Sequence, residues 1–147
     1  MASVEPPTPN YKPNLPPEAI KDGKLSLAQI ESIVYAGQSH QETLPDGQRR
    51  GFFIGDGTGV GKGREISGII MDSFNNGKKK AVWISKNKPL FDDAVRDWTD
   101  LGGKADDIFP MDKTKAGAKL PDRKGILFVT YNALKQNIEV SSNGEAK

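Results

Sequence analysis

Gly55-Asp56-Gly57-Thr58-Gly59-Val60-Gly61-Lys62-Gly63-Arg64 decides the fold. Five glycines alternate with other residues up to position 63, and a Gly-Lys pair closes the run. The three residues before Gly55 are apolar: Phe52, Phe53 and Ile54. After it, Ile66, Ile69, Ile70 and Phe74 recur at helical spacing. A buried strand over 51–55, a glycine loop and a helix over 61–74 is the context of a phosphate-binding P-loop. Glycines let successive backbone N–H groups turn inward toward a phosphate. The helix start adds unpaired N–H groups and the positive end of the dipole. Lys62 is the residue expected to reach the outer phosphates of ATP and to act in catalysis. Gly57, Thr58, Gly59, Val60, Gly61, Gly63 and Arg64 complete the expected cradle. The competing reading is a glycine linker without a ligand; such linkers rarely join an apolar run to an apolar-striped helix.

The pattern departs from the usual one at two places. The first glycine of the common motif is replaced by Asp56, and the Ser or Thr after the lysine is replaced by Gly63. The hydroxyl that ordinarily helps to hold Mg²⁺ is therefore absent. Thr58 carries a hydroxyl, but nothing in the sequence assigns it that task.

Working outward, Ser26 is a predicted N-cap for a helix through about residue 39, with Leu27, Ile30, Ile33 and Val34 as its apolar positions. Residues 80–85 and 125–130 read as buried strands, and 107–109 as a shorter one. Pro89 opens a helix that Leu101-Gly102-Gly103 stops. A short helix is expected around 132–136. Apolar strands alternating with helices predict an α/β fold with a parallel sheet covered on both faces. Trp83 and Trp98 lie on apolar faces and are expected in its core. Residues 1–24 hold six of the ten prolines, so an irregular arm is expected there, either packed or loose. The domain is expected over 25–140, followed by a polar tail over 141–147.

Composition narrows the chemistry. The 147 residues suit about one domain, with 35% hydrophobic residues available for a core. Cysteine is absent, and His40 is the single histidine. Disulfides, thiol nucleophiles and Cys/His metal clusters are thus excluded within this sequence. A formal charge of +2 gives no bulk argument for nucleic acid. No apolar run approaches the roughly 18 residues of a membrane span. No membrane partner is expected, and a cytoplasmic location is, or a nuclear one in a eukaryote. Asp92-Asp93 suits a helix start, and Asp106-Asp107 has no metal-site context, so no metal ligand is assigned.

The stretch from Gly51 to Arg64 resembles the nucleotide-binding segment of the strawberry notch family, whose members are superfamily 2, helicase-like ATPases. The likeness extends to the helix from Leu25 to Ala36, the strand from Gly77 to Ser85, the helix around Asp92 to Asp97, and the segment from Gly125 to Leu134. Gly-Lys-Gly-Arg is itself similar to the family pattern. The resemblance implies a RecA-like, three-layer P-loop fold, of which this chain is the first half. It implies ATP and Mg²⁺ as cofactors and a contact from Gln29 to adenine, whose edge an amide can both donate to and accept from. Thr130 and Tyr131, at a strand's C-terminal end, become nucleic-acid candidates. DNA is an expected partner through the parent protein, as is the remaining ATPase half or a second RecA-like domain.

Such ATPases also need an Asp-Glu motif for Mg²⁺, and the sequence has no Asp-Glu pair. Three functions therefore stay open. One is an ATP-binding half-domain of a helicase-like enzyme. Another is a nucleotide-binding or interaction module without turnover. The third is a different P-loop enzyme such as a small kinase, against which stands the lack of an arginine-rich lid segment.

Overall fold

The computed structural model describes residues 5–57, 59, 61–111 and 122–135. The expected tail over 141–147, and Thr58 and Val60 of the loop, lie outside them. Helices α1 (Pro17–Lys21), α2 (Leu27–Gln41) and α3 (Lys62–Asn75) precede strand β1 (Lys80–Ser85). Helix α4 (Leu90–Asp100), a 3-10 turn (Ala105–Asp107), β2 (Ile108–Pro110) and β3 (Gly125–Thr130) follow, with helical residues at 131–135.

The sheet is parallel, with β3 between β1 and β2. Trp83 pairs with Phe128 and Ile108 with Ile126. Central position explains why β3 is apolar on both faces: Ile126, Leu127, Phe128 and Val129 are all buried. β1 differs, with Trp83 buried but Val82 and Ile84 exposed. The expectation that Ala81 to Ile84 fills the core therefore holds for one face of β1 only. The face of β1 that carries Val82 and Ile84 is left uncovered among the described residues, while the Trp83 face packs into the core.

The expected strand over 51–55 does not form. This segment has no ladder partner among the described residues, and Phe53 is 87% exposed. An apolar run marks strand potential, but a strand exists only where a neighbour accepts its hydrogen bonds. None of β1, β2 and β3 takes this segment as a neighbour.

The helices behave as read, within a residue or two at their ends. Ser26 caps α2: its hydroxyl accepts from the Gln29 backbone N–H at 3.2 Å, and the Gln29 side chain accepts from the Ser26 N–H at 2.9 Å. Ile33 of α2 packs into the space left open by Gly68 of α3. Trp98 of α4 meets Phe74 of α3 edge to face at 5.2 Å. Trp83 and Trp98 are both core residues, as expected. Within the described part of the proline-rich arm α1 forms, and its Ala19 joins the core beside Leu15.

Candidate nucleotide-binding site

Gly61 is the N-cap of α3, with φ +81°. This left-handed backbone costs glycine little and other residues more. It turns the chain sharply so that α3 can start at Lys62. Gly61 then accepts from the backbone N–H of Arg64 at 2.9 Å and of Glu65 at 3.3 Å. The first turn of a 14-residue helix is thereby aimed at the glycine loop.

Lys62 folds back over that loop. Its ammonium donates to the carbonyl of Gly57 at 2.7 Å and to the carbonyl of Asp56. Two backbone dipoles thus hold the charge where a phosphate oxygen would compete for it. Gln29 is also brought to the loop. Its Nε2 donates to the Gly61 carbonyl at 3.4 Å, while its Oε1 is held by the Ser26 N–H. The capping box therefore fixes the orientation of the amide proposed to face adenine.

Arg64 lies elsewhere. Its guanidinium turns toward α4, donating to Asp100 Oδ2 and to Asp97 Oδ1 at 3.4 Å, and it also reaches the Lys24 carbonyl at 2.9 Å. The arrangement joins Gly57, Gly61, Lys62 and Gln29 and leaves the Arg64 side chain on another side of the helix. Thr130 and Tyr131 sit at the C-terminal end of β3. Thr130 Oγ1 accepts from the Ala133 N–H at 3.3 Å, as an N-cap does, and Tyr131 is exposed.

Two acidic residues near the loop escaped the sequence reading. Glu65 is buried in the first turn of α3, and its Oε2 has no hydrogen-bond partner among the described residues. Burial, then a hydrogen bond with Asp56, raises its pKa above the usual glutamate value. Asp97 lies beside Gly63 and Arg64. A signal was present for both. Glu65 falls on the stripe of Ile66, Ile69 and Ile70, and Asp97 stands next to the stripe of Ala94, Trp98 and Leu101.

A glycine-rich turn feeding a helix that starts with lysine, beside a parallel α/β sheet, defines a P-loop NTPase domain. The family model for the P-loop containing NTP hydrolase pore-1 matches residues 1–146. Among curated proteins, the chain is 47% identical to protein strawberry notch of Drosophila melanogaster over 139 residues, covering 91% of this chain and 8% of that protein. It is 43% identical to protein strawberry notch homolog 1 of Homo sapiens over 140 residues (91% and 10%). Protein FORGETTER 1 of Arabidopsis thaliana is 42% identical over 138 residues (91% and 11%). The chain belongs to the strawberry notch family. It spans about a tenth of the length of these relatives. No solved structure matches it significantly.

Proposed function

We propose that this chain is the ATP-binding part of a helicase-related ATPase, with its phosphate site at Gly57–Gly61 and Lys62. The observation that carries the reading is the Lys62 ammonium resting on the Gly57 and Asp56 carbonyls above the start of α3. A triphosphate entering there replaces two neutral acceptors with charged ones and gains the helix N-terminus. Thr58, Gly59, Val60 and the Gly63 backbone extend the cradle, Gln29 meets adenine, and Arg64 supports the helix from behind. Mg²⁺ arrives on the phosphates, which together with water commonly supply most of its ligands. The residues present suit the phosphates; beside Lys62, the hydroxyl that would meet the cation is missing.

Hydrolysis requires an acidic Mg²⁺ motif and an arginine from another domain, both supplied by the parent protein. DNA is the partner of that parent, approached near Thr130 and Tyr131, and the location is cytoplasmic or nuclear. Among the described residues no helix is long and apolar enough to cross a membrane. A second reading, a nucleotide-binding or interaction module without turnover, is favoured by the exposed Val82 and Ile84 on β1.

Titration with a fluorescent ATP analogue and Mg²⁺, alongside Lys62→Ala, tests the site. Saturable binding by the wild type, weakened at least about tenfold in the variant, is expected. No binding by a folded wild type, or equal binding by both, rejects it. Phosphate release by this chain that depends on Lys62 would instead overturn the need for outside motifs.

A further inference from the structure

Gly63 stands where the P-loop pattern has a hydroxyl side chain, and a specific group fills the space beside it. A Cβ on Gly63 would lie closer than 3.0 Å to Oδ2 of Asp97, a distance real Cβ contacts do not show. The Asp97 side chain is only 14% exposed. Its other oxygen, Oδ1, accepts from Arg64 at 3.4 Å and lies 3.8 Å from Arg96. Arg64 is bound further by Asp100 and by the Lys24 carbonyl. α4 therefore meets residues 63 and 64, and the segment before α2 holds Arg64, immediately after the lysine that reaches for phosphate. Gln29 adds a third hold on Gly61.

The hydrophobic attachment of α4 is separate. Ala94, Trp98 and Leu101 anchor it in the core, each at most 2% exposed. Asp97 is not needed for that anchorage. What it does contribute is a negative charge near the positive end of α3 and a wedge in the space of a missing side chain. The lysine's aim depends on the first turn of α3, since Lys62 is the residue that begins it.

We propose that Asp97 is a positioning residue of the nucleotide site: its carboxylate occupies the room left by Gly63 and, through Arg64, locks the first turn of α3 so that Lys62 faces the phosphates. Gly63 is then the matching half of a two-residue fit rather than a lost hydroxyl. Restoring the common motif at 63 should do harm here.

This rests on the ATP-binding reading, and the test separates the two. The dissociation constant for a fluorescent ATP analogue with Mg²⁺, and the thermal midpoint, are measured for wild type, Lys62→Ala, Asp97→Ala, Asp97→Asn, Gly63→Ser and the double variant Gly63→Ser/Asp97→Ala. Asp97→Ala is expected to weaken binding about tenfold at an unchanged midpoint. Asp97→Asn, which keeps the shape and an acceptor for Arg64, stays within about threefold of wild type. Gly63→Ser weakens binding by collision, and the double variant recovers most of it. Asp97→Ala binding as tightly as wild type overturns the proposal while Lys62→Ala still upholds the ATP site. So does a loss that merely follows a lowered midpoint, or a double variant as weak as the product of its parts. A wild type that binds no nucleotide takes both down.

Discussion

Glu65 shows what a buried carboxyl does beside a phosphate loop. A charged form would sit near Asp56 and lose its water, and Lys62 offsets this only in part. The group therefore holds its proton to a higher pH in the folded state than in the unfolded chain. The sign follows by linkage. Below the usual glutamate range both states are protonated and nothing is lost. As pH rises above about 4.5 the unfolded state ionises first, so stability falls until the folded-state pKa is passed. His40 has a pKa lowered by burial and by Arg49 and Lys78, and it acts oppositely, costing stability as pH falls. Glu65→Gln isolates the first effect, because an amide is neutral at all pH. Thermal midpoints from acid to neutral pH should decline more in the wild type than in Glu65→Gln. Parallel curves would show that folding leaves the Glu65 pKa unraised. The place of Glu65 on an apolar stripe was legible in sequence, but its partner was not, because Asp56 meets it only after α3 is folded against the loop.

Elements were legible where their signals are local. The capping box at Ser26 and Gln29, the stripe of α3 and the apolar run of β3 each carry their own evidence, and each element formed where expected. Residues 51–55 carried an equally apolar run but depended on a partner strand that local sequence does not contain. The arm also needed tertiary information. It is tied to α3 through Asp72, which is buried and accepts from Tyr11 Oη at 2.8 Å, the Asn14 N–H at 2.6 Å and Asn76 Nδ2 at 3.0 Å. Burial, then the bond to Asp72 and the charge of that residue, pushes the Tyr11 phenol up to about 12. The ring also lies against Gly37 of α2, where any Cβ would collide with it. Tyr11 thus joins α2 and α3 from outside. Asp72→Ala leaves three donors without their acceptor and should destabilise the chain by about 2–4 kcal/mol. Tyr11→Phe removes one bond and keeps the ring, costing about 1 kcal/mol. Urea unfolding of the three proteins checks both values, and equal loss in the two variants would mean that the Tyr11 bond alone, not those from Asn14 and Asn76, carries the contribution of Asp72.

At the scale of the whole molecule, the sheet order β1-β3-β2 leaves β1 without a neighbour on its outer side among the described residues. Val82 is 59% exposed and Ile84 46% exposed on one face of that strand. On the same face of β3, Leu127 and Val129 are buried, so coverage stops at β1. Phe53, on the segment expected as a strand, adds a third exposed apolar side chain. An unpaired edge with apolar side chains is a template for another strand, and the lysines Lys78, Lys79 and Lys80 guard only its start. Self-association through β1 is therefore the expected behaviour of the isolated chain. Sedimentation velocity over rising concentration should show mass growing in the wild type. Val82→Lys with Ile84→Lys places charge on the open face while Trp83 stays in the core, and it should hold the monomer to higher concentration with unchanged circular dichroism. Were the doubly substituted chain to associate as the wild type does, β1 would not be the contact. Phe53→Ser would then be the informative variant, since the 51–55 segment is the other exposed apolar run that local reading had assigned to the core.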